Sequence, residues 1–314
     1  MKFAWLGCHL EGVPALTTLL EQGTLEAVIT LKPEYVAKRS AVADYRALMA
    51  GRAIPFYEIA HVNNPESAQL LRNLQLDVLF VIGWSQIIAP EILAIPRIGM
   101  IGAHASLLPH NRGSAPVNWA LIKGERQTGN SLIWLASDLD EGDVIDQTVI
   151  PITEYDTCAT VYDCVAVSNR EMILRALPKI IQGARPGQKQ QHSDEPLLPR
   201  RRPNDGLVDW NRPNAEIYNF VRGLTRPYPG AFSFLDGRRW HIWNCALLTS
   251  NLNHAAAGEI VGPVISPNVQ ACGQLVGCGK GQILLLEIES DDGNVLAGQR
   301  LSQQAWTGKR WLRE

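Results

Sequence analysis

Hydrophobic positions in the first half of this chain come in two alternating textures. Short, nearly unbroken apolar runs stand at "KFAWLG", "LEAVITL", "IPFYEI", "LDVLFVIGW" and "RIGMIGAH". Between them, in "VPALTTLLEQG", "AVADYRALMAGRA" and "NPESAQLLRNLQ", apolar residues recur every three or four positions. The first texture predicts buried strands and the second amphipathic helices. Strands taking turns with helices at this spacing predict an α/β fold with a doubly wound, Rossmann-like sheet. Asn64 before Pro65 reads as a helix N-cap, and the glycine closing "LLEQG" as a helix stop. The apolar stretch from Leu76 to Ala103 is broken by Pro90, Glu91, Pro96 and Arg97. It predicts two buried strands around a short helix, not a membrane span.

Further along come a helix at "APVNWALIKGE", an extended "NSLIWLA", a polar turn "SDLDEGD", a strand "VIDQTVIPI" and a long helix from about Cys158 to Gln182. The texture then changes. "QGARPGQKQQHSDEPLLPRRRPNDG" is rich in Pro, Gly, Gln and charge without an apolar period, which predicts a linker. Beyond it one helix, "AEIYNFVRGLT", precedes β-type runs at "GAFSFL", "RRWHIWNCALL", "GEIVGPVI", "QLVGCG" and "QILLLEIE". They predict a small, mostly β C-terminal domain, OB-like or another barrel rather than a sandwich. The expected division is one domain over 1–188, a linker over 189–204 and the β-rich domain over 205–314.

Composition changes this picture little. A chain of 314 residues has room for a full core in one large or two medium domains. With 46% hydrophobic and 19% charged residues and a formal net charge of −2, neither disorder nor a nucleic-acid footprint is indicated. Residues 1–199 carry 16 Lys and Arg against 21 Asp and Glu, and the remainder 13 against 10. A slightly basic second half is a weak pointer to an anionic ligand. Six cysteines without CxxC spacing read as free thiols of a reducing compartment. No secretory leader pattern opens the chain, so the expected setting is cytoplasmic, with no membrane partner.

The candidate chemistry lies at two predicted strand ends, Trp84 to Ile88 and His104 to Arg112, where open α/β sheets bind ligands. His104 ends an apolar run and is followed by Leu108-Pro109 and Arg112-Gly113-Ser114. A rigid loop there delivers one side chain to a cleft, although a lone histidine at a strand end is as often a core residue. The acidic turn brings Asp138, Asp140, Asp143 and Asp146 within nine residues. It reads as a solvated turn or a cation loop, but it lacks the glycine and closing glutamate of a calcium loop. "GCGKGQ" at 277–282 has no strand-to-helix context for a phosphate loop and reads as a β-turn. Arg200, Arg201 and Arg202 read as solvated linker charge, with a phosphate contact as the sharper alternative. Trp240 and Trp243 read as core packing on one strand face.

The stretch from about Leu76 to Ile152 resembles the formyltransferase family that uses 10-formyltetrahydrofolate. The family pattern is Asn-x-His, SLLP-x-x-RG-x-x-P, G-E-x-x-TG and D-x-GD. Here it stands as "GAHASLLPHNRGSAP", "KGERQTGNSLIWL" and "LDEGDVID". In the second half, "VDWNRPNAEIYNFVRGLTRPYPGAFSFLDGRRWHIW" is similar to the C-terminal domain of methionyl-tRNA formyltransferases, and more so to that of enzymes formylating nucleotide-linked 4-amino sugars. The resemblance implies that His104 is the catalytic histidine and Asp140 the aspartate that holds it. A histidine titrating near neutrality suits an exchange in which the acceptor amine loses a proton and the folate nitrogen gains one. It further implies a folate site lined by Gln86, Ile87 and Ile88, by Ser106, Leu107, Leu108 and Pro109, and by Ala136, Ser137, Asp138, Leu139 and Asp140. Arg112, Gly113 and Ser114 are then expected beside the substrate, and no metal is implied.

One position departs from the pattern. The family asparagine that hydrogen-bonds the formyl oxygen is matched here by Gly102. Losing a donor of that kind costs about 10²–10³ in rate. Either another donor replaces it (Asn111 and Asn130 are candidates), or the pocket serves another one-carbon or acyl donor, or the protein binds folate without transfer. The intact His104 and Asp140 favour the first two. The expected acceptor is a primary amine on a small molecule, foremost a nucleotide-linked amino sugar, with initiator methionyl-tRNA as the alternative. The loop carrying Lys32, Lys38 and Arg39 also holds Glu34 and Asp44, a poor basic patch for tRNA. A homodimer through the C-terminal domain is left open.

Overall fold

The computed structural model describes residues 1–37, 39–248 and 255–314, so Lys38 lies outside the described residues. The chain divides into two compact units. The first comprises Met1–Pro116, Gln127–Pro151 and Thr160–Arg200; the second comprises Val117–Arg126, Ile152–Ala159 and Arg201–Glu314. Two short pieces of the first half thus belong to the second unit, and residues 189–200 belong to the first.

The first unit is built on seven strands: β1 (Phe3–Leu6), β2 (Leu25–Leu31), β3 (Phe56–Ile59), β4 (Val78–Val81), β5 (Gly99–His104), β6 (Gln127–Trp134) and β7 (Val144–Pro151). Their order is β3-β2-β1-β4-β5-β6-β7. The first five are parallel, whereas β5 with β6 and β6 with β7 are antiparallel, so the sheet is mixed. Along the chain lie α1 (Val13–Glu21), α2 (Pro33–Val36), α3 (Tyr45–Met49), α4 (Pro65–Leu74), α5 (Pro90–Leu93) and α7 (Cys158–Ile181), whereas α6 (Pro116–Lys123) belongs, but for Pro116, to the second unit. Phe3, Trp5 and Phe80 point to one face and pack with Leu16 and Leu19 of α1 and Met172, Ile173 and Ile180 of α7. Ala4, Leu6 and Leu79 point to the other, against Ala68 and Leu71 of α4 and Ile92 of α5. Side chains alternate along a strand, and with both faces covered the strands read as continuous apolar runs.

Local expectations shift in two places. The helix expected over "AVADYRALMAGRA" contracts to the five residues of α3. Asp44 accepts from the Ala47 N–H at 3.0 Å and starts it late, and Gly51 at φ 74° follows its end. Asn64 does precede α4, but its side chain makes no capping bond; only its backbone carbonyl receives the Ala68 N–H, at 3.0 Å.

The second unit carries α8 (Asn214–Leu224), β8 (Ala231–Leu235), β9 (Arg238–Leu247), β10 (Ile260–Val264), β11 (Gly273–Gly277), β12 (Gln282–Ser290), β13 (Val295–Ala297) and α9 (Gly298–Ser302). Its antiparallel sheet runs β10-β11-β12-β9-β8, with β13 on β12. Residues 308–312 bond to both edges of this sheet. Leu312 exchanges bonds with Phe234 of β8 at 2.8 and 3.1 Å, and Gly308 and Lys309 bond Ile260 of β10 at 2.8 Å. "GCGKGQ" is the hairpin loop between β11 and β12, with the Cys278 N–H on the Gly281 carbonyl at 3.0 Å. Trp240 and Trp243 do not share a face, because three residues is an odd spacing on a strand. Trp240 joins the core, whereas Trp243 stacks on His241 at 5.5 Å and donates to Glu289 at 2.8 Å. Nor is Arg201 merely solvated: its guanidinium lies over Trp119 at 5.0 Å and Phe220 at 5.4 Å, and burial holds its pKa below the usual arginine value. Among the described residues no helix is long and apolar enough to cross a membrane, and all six thiols are free.

Candidate active site

β5 is the strand that delivers the candidate base. Met100 and Ile101 anchor it in the core, and it ends on His104, paired with Ser131 of β6. The chain then turns sharply, the Ser106 N–H returning to the His104 carbonyl at 2.8 Å. The Ser131 hydroxyl accepts from the Leu108 N–H at 3.1 Å and donates to the Ser106 carbonyl at 2.6 Å. Gln147 of β7 adds bonds to the Leu108 carbonyl (2.9 Å) and the Ser131 hydroxyl (2.8 Å). The Ser106 hydroxyl donates to the His110 carbonyl at 2.6 Å. Every one of these bonds locks the loop that leaves the strand, so His104 stands on a fixed support.

The His104 side chain is 8% exposed and has a partner at each ring nitrogen. Nε2 lies 2.9 Å from the Asn111 carbonyl, so that nitrogen carries the hydrogen. Nδ1 lies 3.5 Å from Oδ2 of Asp140. The same carboxylate oxygen accepts the Gly113 N–H at 3.0 Å. Asp140 itself sits in the left-handed region at φ 58°, which aspartate tolerates better than most residues. The turn that carries it depends on Gly142, where a β-carbon would stand 1.6 Å from the Trp134 carbonyl oxygen.

Gly102 lies two residues back on the same face of β5. A β-carbon there would come 2.5 Å from Cδ2 of Leu135. The space beside the strand at 102 is therefore filled by an apolar side chain, and no donor stands there. Asn130 does not compensate. It is paired one residue away from Ser131 and so faces the opposite side of the sheet. Its Nδ2 is engaged by Ser168 at 2.9 Å and Asn169 at 2.6 Å.

The remaining expected ligand residues fall into two groups. Ile87 is 75% and Leu139 44% exposed, bare apolar surface at strand ends; Ala136, Ser137 and Asp138 are exposed as well. Ile88 packs against the core, Pro109 is half-buried and Leu108 is buried. Gln86 turns back, accepting from Val62 N–H at 2.8 Å and donating to the Ala60 carbonyl at 3.1 Å. Ser106 is buried, and Leu107 sits over Gly129, where a β-carbon would be 2.4 Å from its Cδ2. These side chains build the loop. Arg112, Gly113 and Ser114, expected beside the substrate, are engaged elsewhere. Arg112 bonds Glu141 and, at 2.9 Å, the Ser193 carbonyl. Gly113 at φ 107° faces Leu198, whose backbone atoms would lie 2.6 Å from any β-carbon there. The Ser114 N–H donates to the Leu198 carbonyl at 3.0 Å.

What these residues meet is the segment expected to be a linker. Residues 185–198 form a strap across the 106–114 loop. It starts on Trp134, whose Nε1 donates to the Pro186 carbonyl at 2.7 Å, and on Val144, which exchanges two 2.8 Å bonds with Gln188. Gln190 donates to the carbonyls of Asp140 (2.7 Å) and Gly142 (2.8 Å). Glu195 holds His110 Nδ1 at 2.6 Å and the Asn111 N–H at 3.4 Å. Nothing periodic announces such a strap.

The family profile described as formyl transferase matches residues 15–177, and that of the formyl transferase C-terminal domain matches 201–305. A methionyl-tRNA formyltransferase of Geobacter sulfurreducens is 34% identical over 92% of this chain and 89% of its own. Another, of Pelotomaculum thermopropionicum, is 32% identical over 92% of this chain and 91% of its own. In fold, an N-formyltransferase from Helicobacter canadensis, solved with folinic acid and dTDP-3-aminofucose, superposes with a TM-score of 0.67 at 18% identity, over 91% of this chain and 98% of that one.

Proposed function

The chain belongs to the formyltransferase family, and from that premise we propose that it moves a formyl group from 10-formyltetrahydrofolate to a primary amine. The observation that carries the reading is the His104–Asp140 pair at the carboxyl end of β5, at 3.5 Å, inside the motif the family shares. The donor, when bound, supplies an electrophilic formyl carbon. The exposed Ile87 and Leu139 and the exposed residues 136–138 fit a flat ring with hydrogen-bonding edges. In the net reaction the acceptor amine gives up a proton and the folate nitrogen receives one. His104 is the group that takes the one and returns the other, and a proton held at Nδ1 is countered by Asp140. Leu135 fills the place beside Gly102, so no side chain at 102 reaches the formyl oxygen.

For the acceptor, the "RGSAPVNWALIKGE" and "RPYPGAFSF" segments and the absence of a basic cluster around Lys32 and Arg39 support a nucleotide-linked amino sugar. Arg39 is held by Ser85 at 2.7 Å and by the Tyr35 carbonyl at 2.5 Å. Methionyl-tRNA is the second reading, favoured by the names of relatives 32–34% identical along almost the whole chain. The test is release of tetrahydrofolate from 10-formyltetrahydrofolate with amino-sugar nucleotides and with initiator methionyl-tRNA, in wild type and His104→Ala. Amine-dependent release that vanishes in His104→Ala supports the proposal and identifies the acceptor. Folate binding without release in any arm leaves a binding protein and overturns it.

A further inference from the structure

We infer that Gln190 and Glu195, on the 185–198 strap, are positioning residues that fix the two partners of the His104 ring and thereby its tautomer. The strap reaches each edge of the imidazole through a different intermediary. On the Nδ1 edge, the Gln190 amide donates to the carbonyls of Asp140 and Gly142, at 2.7 and 2.8 Å. These carbonyls flank the turn that presents the Asp140 carboxylate, a residue held at φ 58°. Two bonds from one amide group pin that conformation, and with it the 3.5 Å approach of Oδ2 to Nδ1. Gln190 has a further mark of confinement: its Oε1 is buried without a hydrogen-bond partner.

On the Nε2 edge, the Glu195 carboxylate takes His110 Nδ1 with one oxygen and the Asn111 N–H with the other, at 2.6 and 3.4 Å. Asn111 sits at φ 55° and turns its carbonyl onto Nε2 at 2.9 Å. Backbone bonds of Leu198 to Arg112 (2.8 Å) and Ser114 (3.0 Å) close the same loop from the far side. The charged groups around the ring are therefore Asp140, Glu141 with Arg112, and Glu195 with His110. His192 and Asp194, at 88% and 95% exposure, pair with each other at the strap's outer edge.

The chemical consequence is specific. A carbonyl only accepts, so while Asn111 faces Nε2 at 2.9 Å that nitrogen keeps its hydrogen, and Nδ1, 3.5 Å from the equally acceptor-only Asp140 carboxylate, is the nitrogen that gains and loses the second one. Releasing the Glu195 hold loosens the Asn111 peptide between the remaining Ser106 and Leu198 bonds, so its carbonyl leaves Nε2 more readily. Nε2 is then free to shed its hydrogen and Nδ1 to donate to Asp140, which is the tautomer that offers a base at Nε2. The strap thus chooses which nitrogen is available for proton transfer.

This inference rests on the reading of His104 as the proton-transfer group, but its test needs no turnover. Long-range ¹⁵N–¹H spectra of the labelled full chain, with His104 assigned by its loss in His104→Ala, report the tautomer and the titration directly. Glu195→Ala is expected to raise the fraction of ring hydrogen at Nδ1 and to move the His104 midpoint by about half a pH unit or more. Glu195→Gln, whose amide oxygen still accepts from Asn111, should restore part of the wild-type pattern. Gln190→Ala should move the midpoint through Asp140, and Asp194→Ala should leave both readouts as in wild type. If Gln190→Ala does not fold, the Glu195 pair, on a half-exposed side chain, decides alone. A wild-type tautomer and midpoint in folded Glu195→Ala, or an equal shift in Asp194→Ala, overturns the inference. A chain that releases no tetrahydrofolate with any amine would remove the formyl-transfer reading and leave the tautomer result standing.

Discussion

Leu135 occupies the side-chain place of residue 102. Its Cδ2 stands 2.5 Å, and its Cγ 3.1 Å, from where a β-carbon on Gly102 would be. The two positions lie on neighbouring chain segments, the Leu135 N–H bonding the Met100 carbonyl at 2.8 Å. Glycine at 102 and leucine at 135 are one packing solution, and a side chain added at 102 makes Leu135 shift.

Gly102→Asn should therefore destabilise the chain by about 1–3 kcal/mol through overpacking. Because the obstacle is the far end of a flexible side chain, adding Leu135→Ala should recover part of that loss. The double mutant should be more stable than the sum of the single changes by at least about 0.5 kcal/mol. Urea denaturation of the four proteins measures the coupling; strict additivity would show that the two side-chain places are independent. Tetrahydrofolate release by the double mutant then tells whether an amide at 102 helps transfer in this fold.

His104→Ala should lower tetrahydrofolate release by about 10²–10⁴-fold, the usual worth of a positioned acid–base group. Asp140→Asn should lower it less, since asparagine tolerates φ 58° and keeps an acceptor for Gly113. Single-turnover kinetics at saturating donor compare the two. Equal losses would mean that Asp140 acts by more than holding and countering the ring.

Gly142→Ala places a β-carbon 1.6 Å from the Trp134 carbonyl oxygen, a backbone atom that cannot swing aside. The Asp140 turn must move, and stability should fall by about 2 kcal/mol or more. A thermal melt reads the loss. An unchanged midpoint would show that this turn shifts without cost.

Glu11 supplies a pH dependence. Burial pushes its carboxyl from 4.5 up to about 7. The native chain then holds a proton there that the unfolded chain has released, so stability falls as pH rises from about 4.5 to about 7. The whole effect is at most about 3 kcal/mol. Glu11→Gln should flatten this part of the profile, leaving the variant relatively more stable above pH 7. Urea midpoints between pH 4.5 and 8 decide it; parallel profiles for the two proteins would reject a raised Glu11.

Much of this arrangement is legible in the sequence where side-chain chemistry repeats. The runs at 3–6 and 25–31 become β1 and β2 because both sheet faces are covered and nearly every residue is buried, the exposed Glu26 excepted. His104 falls at a strand end because the apolar run stops there. Strand direction is not written in such a pattern, so the antiparallel β6 and β7 cannot be read from it. The strap is invisible for a related reason. Gln188 and Leu198 hold on through backbone atoms, and Gln190 and Glu195 through long polar side chains with no periodicity. Gly102 is conspicuous as a departure, yet only the structure shows that Leu135 answers it.

The pairing of Gly113 with Leu198 bears on how this polypeptide tolerates recombination. A composition-guided crossover would fall near residue 188, where the expected first domain ends. Joining a foreign segment there would supply the native loop with a strap evolved against a different one. The glycine at 113, with no room for a β-carbon, would face whatever backbone the donor brought. Swaps made after Arg200 keep loop and strap as one inherited block, about a dozen residues beyond the seam the sequence advertises, and the donor must then match Val117–Arg126, where Trp119 meets Arg201.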